Sequence, residues 1–205
     1  MTVQLVCPPD CANALSWSVA QQSKIANSCG DGYMILRNGN TICAYVIDGM
    51  GSGPDAHRAA STGLNAIKNA GDTSLGAAFD ATHRALQGMR GAAMAGAMID
   101  LRQLTLSWAA VGDIDGLVHR GTEISDTLMQ RGGALGHNFS GLHIQSTKLH
   151  IGDMIVLTTD GISRNYRSDI RALTSAADCA DHILEAHGRS NDDRLVLAMK
   201  IEALS

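Results

Sequence analysis

The sequence predicts an α+β fold in which antiparallel sheets pack on each other and helices cover the outside. Two observations carry this prediction. Several strands are joined by short hairpin turns, and the helical segments come in separate blocks instead of alternating with single strands. The order along the chain is strands, two helices, a run of strands, one or two helices and a final strand.

The chain opens with two predicted strands, Val3 to Val6 and Ala14 to Gln21. In the second strand, the apolar residues Leu15, Trp17 and Val19 alternate with serines. This period of two is typical of a strand that buries one face.

A hairpin turn is predicted at Asn38-Gly39-Asn40, between a strand that starts at Tyr33 and a strand that starts at Thr41. Asp31 stands at the beginning of the first strand and Asp48 at the end of the second. Because both positions lie far from the turn, antiparallel pairing brings the two carboxylates close together.

Helical periodicity predicts two successive helices after this hairpin. The first runs from about Asp55 to Asn69. The second is capped by Thr73 or Ser74 and continues to Leu86. The later predicted strands are Ala93–Met98, Leu104–Val111, Gly116–His119, Ile144–Leu149, Met154–Thr159 and Leu195–Ile201, and the later predicted helices are Ser168–Leu173 and Ala176–His187.

Length and composition exclude several classes of protein. At 205 residues, we expect a single domain over residues 1–205. The net charge of −4 and the lack of a basic run argue against a nucleic-acid or membrane partner. No segment has the roughly 18 consecutive apolar residues that span a bilayer, and the N-terminus lacks signal-peptide features, so we expect a cytoplasmic protein. The five scattered cysteines do not suggest a disulfide framework.

Two apolar strands end in an aspartate followed by a glycine, at Asp48-Gly49 and at Asp160-Gly161. A strand fixes the carboxylate, and glycine lets backbone carbonyls approach an ion, so this arrangement suits a hard cation at the rim of a sheet. A single Asp-Gly pair is also a common hairpin turn. Two such pairs, with further acids in matching positions, favour a metal site.

Five motifs in order carry a resemblance to a known family: CGDGY at 29–33, VIDGMGSG at 46–53, VGD at 111–113, TTDGI at 158–162 and NDDRLVL at 191–197. With them the chain resembles the metal-dependent type 2C (PPM) serine/threonine phosphatases, and more closely their bacterial SpoIIE-like branch. Its size resembles that of stand-alone RsbX-type phosphatases, which act on stressosome and anti-sigma-factor antagonist proteins. The resemblance implies a four-layer α-β-β-α sandwich of two antiparallel sheets flanked by helices.

The resemblance also implies a site with two Mn²⁺ or Mg²⁺ ions between the sheets. By position, Asp48 would bridge both ions, the Gly49 carbonyl and Asp31 would complete one, and Asp160 and Asp192 would hold the other, with Asp48 and Asp160 central to catalysis. Such ions activate a water molecule for in-line attack on a phosphate. The implied substrate is phosphoserine or phosphothreonine on a bacterial signalling protein, such as a STAS-domain protein of the stressosome.

The chain departs from the family pattern at several positions. Met50 stands where many members have a candidate general-acid histidine, so His57 is considered as a proton donor. No arginine precedes the first acid at the usual spacing, so Lys24 is considered as a phosphate ligand. Arg164 stands where relatives with a third metal have an acid, which argues against a strong third site even with Asp113 available.

Three alternatives stay open at this point. The missing histidine and arginine are also compatible with a catalytically inactive binding module that keeps the fold. A two-metal phosphoesterase acting on small molecules would need the same acids. Next to Asp192, the neighbouring Asp193 either caps its loop or lies in solvent.

Overall fold

The computed structural model describes residues 14–71, 74–170 and 174–203, so the predicted strand Val3–Val6 lies outside the described residues. The helices are α1 (Pro54–Ala70), α2 (Leu75–Ala85) and α3 (Ala176–His187), with a 3₁₀ helix at Arg164–Ser168. The strands are β1 (Leu15–Gln22), β2 (Asp31–Asn38), β3 (Thr41–Gly49), β4 (Ala92–Asp100), β5 (Thr105–Val111), β6 (Asp115–Arg120), β7 (Glu123–Thr127), β8 (Gln130–Arg131), β9 (Gln145–Lys148), β10 (Met154–Thr158) and β11 (Arg194–Ile201).

The strands form two sheets. One sheet has the order β1-β11-β10-β6-β7, and the other has the order β2-β3-β4-β5-β8, with β9 also paired to β5. Every pairing is antiparallel except the short parallel contact between β5 and β8. Within the first sheet, β1 pairs along its whole length with β11, so the first and the last strand of the described residues are partners.

Three apolar clusters show how the layers pack. The central cluster joins the inner faces of the two sheets, with Val46 and Trp108 from one sheet and Leu157 and Leu197 from the other. A second cluster packs α1 and α2 onto the outer face of the β3-containing sheet, and a third packs α3 onto the outer face of the β11-containing sheet. The architecture is therefore a four-layer α-β-β-α sandwich, which confirms the predicted fold class.

Local capping chemistry explains the helix boundaries. The hydroxyls of Ser74 and Ser175 accept backbone hydrogen bonds and cap α2 and α3 as predicted. Helix α1 begins with Pro54 in its first turn and ends at Gly71, whose φ of 66° is left-handed. No helix among the described residues is long and apolar enough to cross a membrane, and no disulfide joins the cysteines they contain.

Two local features differ from the predictions. The helix expected at Ser168–Leu173 lies partly outside the described residues, since 171–173 are not described. In the described part, a 3₁₀ helix lies earlier, at Arg164–Ser168, where Ser163 caps it and Tyr166 is buried. Strands β7 and β8 were not predicted. The alternation in β7 leaves mostly polar, exposed residues at a sheet edge, and β8 has only two residues.

Candidate active site

The β2–β3 hairpin brings two acids together at one end of the sandwich. Asp31 and Asp48 are direct partners in the register of the antiparallel pair, as the hairpin argument predicted. The amide of Gly49 donates to the carbonyl of Gly30 at 3.0 Å and continues the pairing past the acids. A Cβ atom on Gly49 would overlap the backbone carbonyl of Ala56 in α1, so this close packing requires glycine.

The other sheet supplies two further acids to the same end. Asp160 lies two residues after the end of β10 and Asp192 two residues before the start of β11, and these two strands are antiparallel neighbours. Gly161 lets the two loops touch, since a Cβ atom there would overlap the carbonyl of Asp193. The second Asp-Gly pair is therefore a point of backbone contact between loops.

Thr159 joins the two sheets. Its hydroxyl donates to the Asp31 carboxylate at 2.7 Å and accepts from the amide of Leu195 at 2.9 Å. Sequence reasoning missed this residue. The available signal was a buried threonine placed directly before an aspartate at the end of an apolar strand.

These loops surround an open cavity of about 480 Å³. Asp48, Asp160 and Asp192 line it, together with Asp113 and Lys24. Asp31 instead borders a much smaller cavity of about 50 Å³ behind the hairpin. Three of the predicted acids therefore line the large cavity. Asp31 is paired with Asp48 across the hairpin and borders the smaller cavity.

Burial and mutual repulsion raise the pKa values of these acids. Burial is the main cause for Asp31, whose pKa rises to about 8 although the hydrogen bond from Thr159 opposes the rise. Burial also raises the pKa of Asp48 to about 9, with added repulsion from Asp31 and Asp160. The pKa of Asp160 rises as well, through burial and then through repulsion by Asp192. It is costly to ionise these carboxylates together. A bound divalent cation would stabilise their ionised forms.

The donor set fits hard divalent cations, which prefer carboxylate and carbonyl oxygens. Asp48, Asp160 and Asp192 are spread along the lining of the large cavity, and Asp31 borders the smaller one. Among the described residues, Asp169, His182 and His187 each have a ligand atom within 4.8 Å of the other two. The aspartates of the cavity do not form such a group of three. A spread set is compatible with a pair of ions about 3.5–4 Å apart, the spacing of two-metal sites.

Asp193 has a structural role next to Asp192. It is buried, and its carboxylate accepts backbone hydrogen bonds from Lys24 at 2.7 Å and from Gly30 at 2.8 Å. Of the two alternatives left open by the sequence, the loop-capping one is correct. The cap ties the segment before β2 to the β11 loop.

The remaining candidate residues fall at different places. Met50 is 47% exposed and lines the large cavity. His57 lines the smaller cavity with Asp31, and its Nδ1 lies 2.9 Å from the carbonyl oxygen of Cys29. Arg164 forms a 2.7 Å ion pair with Asp113, so a cation neutralises the acid that was considered for a third site.

The chain is similar to known proteins in sequence and in fold. The family model of stage II sporulation protein E (SpoIIE) matches residues 38–202. No curated protein sequence matches the chain.

Three solved structures are similar along most of their length. A structure from work on the bacterial stressosome, described as a modular system adapted to control secondary messenger signaling, is 30% identical, with a TM-score of 0.80 over 91% of this chain and 99% of that one. RsbX in complex with magnesium is 19% identical, with a TM-score of 0.83 over 92% and 96%. The catalytic domain of the serine/threonine phosphatase PstP with two manganese ions is 15% identical, with a TM-score of 0.67 over 92% and 99%.

The similarity to RsbX and to PstP shows only that the folds are alike. It is consistent with the four-layer architecture described above. The family match begins at the turn between β2 and β3, after Asp31, and covers β3, both Asp-Gly turns and the β11 loop. The chain therefore belongs to the SpoIIE-like branch of the metal-dependent type 2C (PPM) phosphatase family.

Proposed function

We propose that this protein is a Mn²⁺- or Mg²⁺-dependent phosphatase that hydrolyses phosphoserine or phosphothreonine on a bacterial signalling protein. The observation that carries the proposal is the joint position of Asp48, Asp160 and Asp192 on one open cavity, with Asp31 behind Asp48. The cavity has a volume of about 480 Å³, and its acids come from both sheets.

Under this proposal, Asp31, Asp48, Asp160 and Asp192 hold two ions, with the carbonyl of Gly49 as a further ligand. Bound Mn²⁺ or Mg²⁺ lowers the pKa of a coordinated water and neutralises the phosphoryl oxygens. Asp48 is the shared ligand because it stands at the end of β3, opposite Asp31 and beside the cavity. Thr159 and Asp193 hold the two halves of the site in position through their hydrogen bonds.

Lys24 is the proposed phosphate contact. It lines the large cavity, and its own amide is fixed by Asp193, so its loop has a defined position. Among the described residues, its ammonium group forms no salt bridge that would compete for a phosphate. An ammonium acts as a compact point charge and so attracts a phosphate without the bidentate geometry of an arginine.

The substrate class is proposed from two facts. The cavity is open to solvent, which suits a phosphorylated segment of a protein, and the structure at 30% identity comes from work on the bacterial stressosome. We infer a phosphoprotein of that signalling type, with a STAS-domain protein as the first candidate to test.

The experiment is Mn²⁺-dependent hydrolysis of p-nitrophenyl phosphate, of a phosphoserine peptide and of a nucleotide. Asp48→Asn keeps the shape and removes the charge, and we expect it to lower turnover at least about 100-fold, more than loss of an outer-sphere partner does. Asp80→Asn, an exposed acid on α2, is the matched control and should match the native protein. Equal activity in native protein and Asp48→Asn would remove the proposed site. Faster turnover of the nucleotide would favour a small-molecule phosphoesterase, and partner binding without any turnover would favour a binding module.

A further inference from the structure

A second group of metal-ligating side chains lies away from the aspartate cavity. Asp169 follows the 3₁₀ helix, while His182 and His187 lie on α3. One ligand atom from each residue lies within 4.8 Å of the other two. Nε2 of His187 is 2.8 Å from Oδ2 of Asp169, and the two imidazole rings are 6.3 Å apart at an interplanar angle of 71°.

The segment that carries Asp169 is fixed to the sheet. Tyr166 is buried and donates its hydroxyl to Asp115 at 3.0 Å, and the guanidinium of Arg167 binds the same carboxylate. Ser168 donates to Oδ1 of Asp169 at 3.1 Å, which leaves Oδ2 directed to His187. An ion held by both residues would take the place of the proton shared between Nε2 of His187 and Oδ2 of Asp169.

We propose that Asp169, His182 and His187 bind one transition-metal ion of the Zn²⁺ class. Imidazole nitrogen suits Zn²⁺ and its neighbours, whereas Mg²⁺ prefers oxygen alone. Ligand atoms of a tetrahedral Zn²⁺ site are roughly 3.3 Å apart, because each Zn–N bond is about 2.0–2.1 Å long. The His182 side chain is exposed, so its rotation toward the other two residues would shorten the present spacing, and water would complete the four ligands.

The location of this site connects it to the segment after Asp160. The carbonyl of His187 accepts from the amide of Ser163 at 2.8 Å, and the amide of Arg189 donates to the carbonyl of Gly161 at 2.8 Å. The side chain of Arg189 also donates to the carbonyl of Asp160 at 3.1 Å. An ion that joins Asp169 to α3 therefore fixes the same backbone that positions Asp160.

The test is calorimetric titration of the full chain with Zn²⁺ in excess Mg²⁺, in an Asp48→Asn background that weakens binding at the aspartate cavity. We expect one equivalent of Zn²⁺ to bind, and His182→Ala and Asp169→Asn each to weaken it at least about 10-fold. His143→Ala replaces an exposed histidine outside the cluster and should leave binding unchanged. Visible absorption of Co²⁺ bound in place of Zn²⁺ gives a second readout of tetrahedral ligation.

His182 is exposed, so His182→Ala removes a ligand without opening a cavity, and far-ultraviolet circular dichroism verifies its fold. Absence of Zn²⁺ binding to the parent chain would overturn the proposal. So would binding of equal affinity in the parent, His182→Ala and Asp169→Asn. The readout does not depend on phosphatase activity, so its failure is separate from any failure of the proposed function.

Discussion

The hydroxyl of Thr159 lies 2.7 Å from the carboxylate of Asp31 and thereby connects the loop after β10 to the first residue of β2, across the two sheets. The same oxygen accepts from the amide of Leu195, so a single buried hydroxyl satisfies one group from each sheet. Removal of this oxygen leaves both groups without this partner.

Thr159→Val tests the connection. We expect a loss of about 1–3 kcal/mol in the free energy of unfolding, because a buried amide loses its acceptor. We also expect Mn²⁺ affinity to fall about 10- to 100-fold, as for other residues that orient a metal ligand. Thr158→Val is the control for the metal readout, since Thr158 is equally buried and the hydrogen bond to Asp31 comes from Thr159. Unchanged Mn²⁺ affinity in Thr159→Val would contradict the orienting role.

The metal-free protein should become less stable as the pH rises. Burial and neighbouring carboxylates raise the pKa of Asp31 to about 8 and that of Asp48 to about 9. Between the unfolded pKa of about 4 and these values, the folded state holds more protons than the unfolded state. The associated stability is therefore complete below about pH 4 and is lost as the pH rises through 8–9.

Urea unfolding in EDTA at pH 5, 7 and 9 measures this dependence. Asp48→Asn removes one titrating group and should give a shallower pH dependence. A free energy of unfolding that rises between pH 5 and pH 9 would show that the acids are more solvated than their burial indicates.

Two glycine substitutions should have opposite effects on stability. Gly49→Ala places a methyl group on the Ala56 carbonyl, so we expect a loss of several kcal/mol or failure to fold. A Cβ on Gly76 in α2 meets no atom within 4 Å, so Gly76→Ala should add about 0.5–1 kcal/mol. Thermal unfolding of both variants compares them directly. A stable Gly49→Ala protein would mean that α1 can move away from β3.

Lys24→Ala should affect substrate binding more than fold. Lys24 lines the cavity, so we expect the KM for a phosphoserine peptide to rise about 10-fold, roughly the effect of one charge-assisted contact to phosphate. Stability should change little, because Asp193 holds the backbone of residue 24 and not its side chain. Lys68→Ala, an exposed lysine of α1, is the matched control. An unchanged KM would assign the phosphate contact to another cation.

The sequence was informative where local chemistry determines structure. The Asn38-Gly39-Asn40 turn fixed the register that makes Asp31 and Asp48 partners, and the serine caps marked the starts of α2 and α3. The division of strands between sheets was not predictable in this way. Strands β9 and β10 are near neighbours along the chain and yet belong to different sheets, because their pairing depends on long-range packing.

The sequence also could not predict which site residues act through contacts with the backbone. Asp193 differs from Asp192 only in the direction of its side chain, and that direction follows from the amides of Lys24 and Gly30 across the molecule. The cluster of Asp169, His182 and His187 has no regular ligand spacing in sequence, because one member lies outside the helix that carries the other two.

The pairing of β1 with β11 has a consequence for synthesis of the protein on the ribosome. Until synthesis has passed about residue 194, β1 lacks its partner β11, and the Thr159–Leu195 hydrogen bond cannot form. Such distant pairing is slow to form. We expect a translation intermediate arrested before β11 to be open to proteases at its N-terminal strand, and protection to appear only when the last strand has emerged from the exit tunnel.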